Sequence, residues 1–168
     1  MPTLSSPYTL HFQIDAAYRR KARPHVLRAA IRAALAHQAA PPGAVSLRLT
    51  GEAVLRKLNR EYLGHDYATD VLSFPAKERD PESGLRYFGD LIISVPRAAA
   101  QATAGGHPLN AELQLLVVHG VLHLLGHDHA NARQKKRMWA AQAEILAQLK
   151  APISGPADEN DDFASRLL

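Results

Sequence analysis

The sequence predicts a single α+β domain of about four strands and five helices, stacked in two or three layers. Three observations lead there. Stretches that alternate apolar and polar residues are interleaved with stretches whose apolar residues recur every three or four positions. A chain of 168 residues suits one ordinary domain with a core of its own. A composition 46% hydrophobic and 21% charged is that of a globular protein.

The elements follow in order. Tyr8–Ile14 alternates Tyr, Leu, Phe and Ile with Thr, His and Gln, the pattern of a half-buried strand. Pro24 suits a first helical turn, and Val26, Leu27, Ala30, Ile31, Ala34 and Leu35 then fall at helical spacing until Pro41-Pro42-Gly43 ends the helix. Val45, Leu47 and Leu49 alternate with Ser46, Arg48 and Thr50 as a second strand. Glu52–Leu63 reads as a helix with Val54, Leu55, Leu58 and Tyr62 facing inward. After a polar loop at 64–69, Val71–Phe74 is a short strand stopped by Pro75. Asp80-Pro81 and Ser83-Gly84 make 77–85 an exposed excursion. Asp90–Val95 is a fourth, apolar strand, and Pro96 opens a helix of small residues to about Thr103. Asn110 is a suitable cap for the next helix, with Leu113, Leu116, Val117 and Val121 in the core. A last helix from about Asn131 to Lys150 buries Met138, Ile145, Leu146 and Leu149. One domain over 1–150 is expected, followed by a disordered tail over 151–168 with the acidic run Asp158-Glu159-Asn160-Asp161-Asp162.

Composition narrows the chemistry. No cysteine is present, so disulfide partners and thiolate metal sites are excluded and any zinc must be held by histidine or carboxylate. No apolar stretch approaches the roughly 20 residues that cross a bilayer, and Met1–Pro7 lacks the basic start of a secretory signal. No membrane partner and a cytoplasmic location are expected. The net charge is +4, and residues 1–60 hold ten Lys/Arg against two Asp/Glu. A basic half suits a polyanion such as RNA.

Four of the nine histidines lie within 119–129, His-Gly-Val-Leu-His-Leu-Leu-Gly-His-Asp-His. His119 and His123 are four apart, which stacks them on one face of a helix. Gly126 offers a helix stop, after which His129, or His127 in its place, is free to swing back toward the pair. Three imidazoles leave one tetrahedral position of a zinc ion open, as catalytic sites do. The spacing also matches the zinc-protease skeleton H-E-x-x-H-x-x-G-x-x-H, except that Gly120 stands where the protease has its basic glutamate. Without that base peptide hydrolysis is disfavoured. A zinc ion acting through bound water and a polarised phosphoryl oxygen suits phosphodiester cleavage, which asks less of the protein. Asp128, between two histidines, either orients an imidazole or caps the turn.

Residues 119–129 resemble the signature H-G-x-L-H-L-x-G-x-D-H of the YbeY family of bacterial single-strand-specific endoribonucleases, which act in ribosomal RNA maturation. Leu58-Asn59 with Tyr62, Asp66 with Thr69-Asp70-Val71-Leu72-Ser73-Phe74-Pro75, and Gly89-Asp90-Leu91-Ile92-Ile93-Ser94 extend the resemblance over roughly 8–150. It implies a single α+β domain whose zinc-binding helix packs against a mostly parallel four-stranded sheet. It implies one zinc ion per chain on His119, His123 and His129, since many members have tyrosine at the position of His127. The catalytic group is then these three histidines through the metal. Asp70 and Ser73 belong to a segment that lines the cleft near the metal and would meet substrate, and Phe74 is read as core. The implied partners are a ribosomal RNA precursor and small-subunit ribosomal proteins.

The chain departs from the family after Tyr62, where many members carry an arginine and this one has Leu63. An arginine would give a phosphate a two-pronged contact. Arg56, Arg60, His65 and Arg86 are the substitutes that sequence proximity offers. Two other readings compete with the zinc-dependent endoribonuclease. One is a non-catalytic ribosome-assembly factor with a structural metal and a basic RNA-binding half; the other is a zinc metalloprotease.

Overall fold

The structure is a computed structural model that describes residues 5–151 and 153; the acidic run of the expected tail lies outside the described residues. Four strands, β1 (Tyr8–Ile14), β2 (Gly43–Thr50), β3 (Val71–Pro75) and β4 (Arg86–Ser94), form one sheet in the order β1-β2-β4-β3. β1, β2 and β4 run parallel, and β3 pairs antiparallel with β4 as an edge strand. A parallel pair needs a long crossover, and the helices α1 (Pro24–His37) and α2 (Glu52–Leu63) lie on the paths between these strands. The short link at 76–85 suits the antiparallel pair.

Register assigns the two faces of the sheet. Phe12, Leu47, Leu91 and Ser73 form one row, and Ile14, Leu49, Ile93 and Val71 the next, both turned toward the main core. Against this face pack α1 and α4 (Leu109–Leu124), with α5 (Ala132–Gln148) packed on both helices and α3 (Val95–Gly105) beside α4. On the other face α2 covers only β3 and β4, where Leu55 and Leu58 meet Leu72, Ile92 and Phe74.

α4 is the central element. The sequence suggests one buried stripe, but every residue from Ala111 to Leu122 is buried, because α1, α3, α5 and the β3–β4 end of the sheet surround it. A helix apolar on all sides belongs inside, and the run Leu113–Val118 is its sequence trace. Each fully buried leucine or valine there stabilises by about 1.5–3 kcal/mol relative to exposure. Among the described residues no helix is long and apolar enough to cross a membrane.

Several local expectations need correction. β4 begins at Arg86 rather than Asp90, and Val95 is the first residue of α3. Ser94 accepts the Arg97 N–H at 3.3 Å, which caps α3 and ends the strand there. Asn110 is not the cap of α4, which starts after Pro108; its amide instead accepts the Arg23 N–H at 2.9 Å and donates to the Lys21 carbonyl at 3.2 Å, tying α4 to the entry of α1. Tyr62 does not face the core. It is 68% exposed, and Asn59 is buried instead, donating to the Tyr67 carbonyl at 3.0 Å. Within the exposed excursion Asp80 is buried, accepting the Ser83 hydroxyl at 2.6 Å and its N–H at 3.0 Å. Ala151 and Ile153, expected to open the tail, pack against the main core.

Candidate metal centre

His119 and His123 sit on the last two turns of α4, with His129 on the loop that follows. The loop is shaped by local chemistry. Gly126 takes φ +96°, where its N–H meets the His123 carbonyl at 3.0 Å and the His127 N–H meets the Leu122 carbonyl at 3.0 Å. This paired closure is the Schellman ending, and it favours glycine at the left-handed position. The Asp128 carboxylate then accepts the His129 N–H at 2.7 Å, and Asn131 caps α5 by accepting the Gln134 N–H at 2.9 Å. The chain thus turns back over the end of α4. The His129 ring lies 5.9 Å from that of His119 and 5.1 Å from that of His123.

One nitrogen from each ring lies within 4.8 Å of the others, so the three histidines could hold a metal ion. Their surroundings fit one. His119 is wholly buried, and its Nδ1 lies 3.0 Å from Gln142 Oε1, an acceptor that fixes the proton on Nδ1 and leaves Nε2 as a donor of electrons. The His127 backbone hydrogen-bonds the His123 ring. The Nε2 atoms of His119 and His123 face each other at 2.9 Å, a repulsive approach for two lone pairs unless a proton or a cation lies between them. His129 Nε2 is buried without a hydrogen-bond partner among the described residues. A buried orphan nitrogen costs about 1–3 kcal/mol, and a metal bond removes that cost.

Burial and the neighbouring imidazoles hold His119 well below its ordinary 6.5, while burial, chiefly, and then His129 lower His123. Both rings are therefore neutral near pH 7, the form that binds metal. The same shifts bear on stability. Below pH 6.5 the unfolded chain takes up protons that the folded chain refuses, so stability falls with pH over that range. The thermal midpoint of metal-free protein is expected to drop between about pH 7.5 and about pH 5.5; a flat profile would contradict the buried neutral pair.

α5 completes the site. Gln142 is fully buried against His119, and the Trp139 ring lies edge-on to His119 at 5.7 Å and His129 at 6.0 Å. Neither was expected from the sequence, although a glutamine on the buried stripe beside Met138 and Ile145 is a readable signal. Gln142→Leu is expected to weaken metal affinity by about 10–100-fold, measured by competition with a chelator, while the chain still folds.

The cluster opens into a cleft of ≈ 210 Å³ along the edge strand, lined by Leu63, Val71, Leu72, Ser73, Pro75, His119 and His123. Ser73 is therefore at the site, its hydroxyl 3.5 Å from the Gly120 carbonyl. Asp70 turns inward: its buried carboxylate accepts the Val71 N–H at 2.9 Å and the Gln101 amide at 3.0 Å, holding the start of β3 to α3. Phe74 is half-buried on the opposite face from Ser73. Asp128 sits on the backbone of His129 rather than on a ring. The His127 ring points away, its Nε2 2.7 Å from Gln38 Oε1 on α1's end.

Leu63 does border the cleft. Arg56 and Arg60 flank a neighbouring hollow of ≈ 710 Å³ with Lys57 and Tyr67, and Arg56 is paired to Asp66 at 2.9 Å. The His65 ring lies 5.5 Å from that of Tyr67. The Arg86 guanidinium lies over Phe88 at the far end of β4.

Comparison with known proteins gives a consistent result. The family model described as Endoribonuclease YbeY matches residues 10–150. An Endoribonuclease YbeY of Moorella thermoacetica is 47% identical over 122 residues, covering 68% of this chain and 78% of that one. One of Pseudomonas putida is 43% identical over 119 residues, covering 71% and 76%. The solution structure of a Thermotoga maritima protein, 20% identical, superposes with a TM-score of 0.54 over 90% of this chain and all of its own; it shares the fold.

Proposed function

This chain belongs to the YbeY endoribonuclease family, and on that premise we propose that it is a zinc-dependent endoribonuclease that cuts single-stranded regions of ribosomal RNA precursors. The observation that carries the reading is the three-imidazole cluster at the head of the edge-strand cleft. His119, His123 and His129 would hold the ion. Three nitrogen donors without thiolate suit zinc, although imidazole also takes copper, iron and nickel. Bound there, zinc supplies an activated water and a positive charge for the phosphoryl oxygen.

The chain's own groups do the positioning. Gln142 fixes the His119 tautomer, and the Gly126 turn with Asp128 brings His129 into reach. Ser73 offers a hydroxyl to a phosphate in the cleft, its present contact with the Gly120 carbonyl being long. Leu63 gives the cleft an apolar border, where an arginine would supply a charge-assisted contact to a phosphate. Small-subunit ribosomal proteins as partners and a cytoplasmic setting accompany this reading.

A covalently closed single-stranded RNA circle tests it, because only an internal cut can open a circle. Metal-loaded protein is expected to linearise the circle and to leave a fully duplex RNA of the same sequence intact. Leu63→Arg is expected to raise the rate by about tenfold, the worth of one charge-assisted contact. A circle that is bound but never opened would instead favour a non-catalytic assembly factor.

A further inference from the structure

Among the described residues, the sheet face opposite the main core is shielded by α2 over β3 and β4, while over β1 and β2 it is met by the 77–85 excursion, whose Asp80 and Glu82 each reach the His11 ring at 3.2 Å. Register sets His11, Ser46, Asp90 and Phe74 in one row across all four strands on this face, with Gln13 and Arg48 in the next row. These side chains, with Tyr62 and Leu58 from α2, line a hollow of ≈ 660 Å³, a size that holds a small organic ligand. One end is aromatic: Tyr62 is 68% exposed and meets Phe74 edge-on at 5.5 Å. The other end converges polar groups. The Tyr87 hydroxyl donates to Asp90 Oδ1 and accepts from Ser46 Oγ at 2.7 Å. Burial and Asp90 push the Tyr87 phenol up to about 12, so it remains a donor. Asp90 Oδ2 has no hydrogen bond among the described residues.

This hollow and the metal cleft share one lip. Tyr62 lines the hollow and Leu63, the next residue, lines the cleft; Phe74 lines the hollow and Ser73, its neighbour, lines the cleft. Ser73 and Phe74 lie on opposite faces of the edge strand β3, so an RNA strand with a phosphate at the imidazoles passes over that edge to reach the hollow. Single-stranded RNA is recognised by stacking splayed bases on aromatic rings and hydrogen-bonding their edges, often on an open sheet.

We propose that the hollow holds a base of the RNA strand close to the bond being cut, stacked on the Tyr62 ring beside Phe74 with its edge on Asp90. Guanine fits best, because its N1–H and N2–H₂ donors lie side by side and face a carboxylate with an unused oxygen. The proposal rests on the endoribonuclease reading and adds a base preference to it.

The test uses the full-length, zinc-loaded protein and two short RNAs, an all-uridine strand and the same strand with one central guanosine. Wild type is expected to cut beside the guanosine with a kcat/KM about tenfold above that of the uridine strand, and Asp90→Asn to lose this preference. Tyr62→Ala, an exposed position that folding tolerates, is expected to raise KM about tenfold with kcat nearly unchanged. Cleavage by wild type without base preference, unchanged in both variants, would overturn the base site and leave the nuclease reading standing. If wild type cuts neither strand, the nuclease reading fails and the base site with it.

Discussion

Replacing His119 with alanine is expected to abolish metal binding and to lower RNA cleavage by about 10³-fold or more. His119 is the one wholly buried member of the cluster, and its orientation is fixed from α5 by Gln142. Two imidazoles in place of three lose both affinity and the charge that would face the phosphoryl oxygen, several kcal/mol of transition-state stabilisation. The alanine also leaves Gln142 Oε1 without its donor in a buried setting. Folding must therefore be checked beside activity. His123→Ala, at a half-buried position, serves as the control: circular dichroism is expected to stay native while metal content and cleavage are lost. Retained cleavage in either variant would remove the metal from the mechanism.

Gly120→Glu is expected to destabilise the fold by about 3 kcal/mol or more, with the thermal midpoint lower by roughly 10 °C, and to create no peptidase. In the zinc-protease pattern this position carries the general base. Here a Cβ on residue 120 would stand 2.7 Å from Leu91 Cδ2 and 3.2 Å from Ser73 Oγ, against the sheet. A glutamate there would have to push aside Leu91 in the main core and the Ser73 hydroxyl. Gly120→Ala makes the test sharper. Alanine improves helix propensity by about 0.5–1 kcal/mol, so destabilisation by this variant would show that close packing decides the residue. A gain in stability would contradict the contact.

Much of this was legible in the sequence because it is local. The alternation in Tyr8–Ile14 and the period of α1 each need only a short window, and the three histidines with Gly126 lie within eleven residues. Other features depend on elements far apart in the chain. Gln142 reaches His119 from 23 residues away, through the packing of α5 on α4. Asp70 turns inward because Gln101, on α3, donates its amide to the Asp70 carboxylate. Tyr62 keeps helical periodicity but is exposed, its ring edge-on to Phe74 of the edge strand, a placement set by how α2 docks on β3. Asn110 and Ser94 show the same limit, since each cap depended on where a neighbouring element began. The row His11–Ser46–Asp90–Phe74 exists only through register, and no single strand announces it.

Titrating zinc into metal-free protein while following both ion uptake and cleavage of single-stranded RNA tests the central claim most directly. The three-histidine site predicts that uptake and cleavage rise together and saturate at one ion per chain, and that His123→Ala does neither. Full cleavage in excess chelator, or cleavage that rises while the three histidines stay empty, would contradict it.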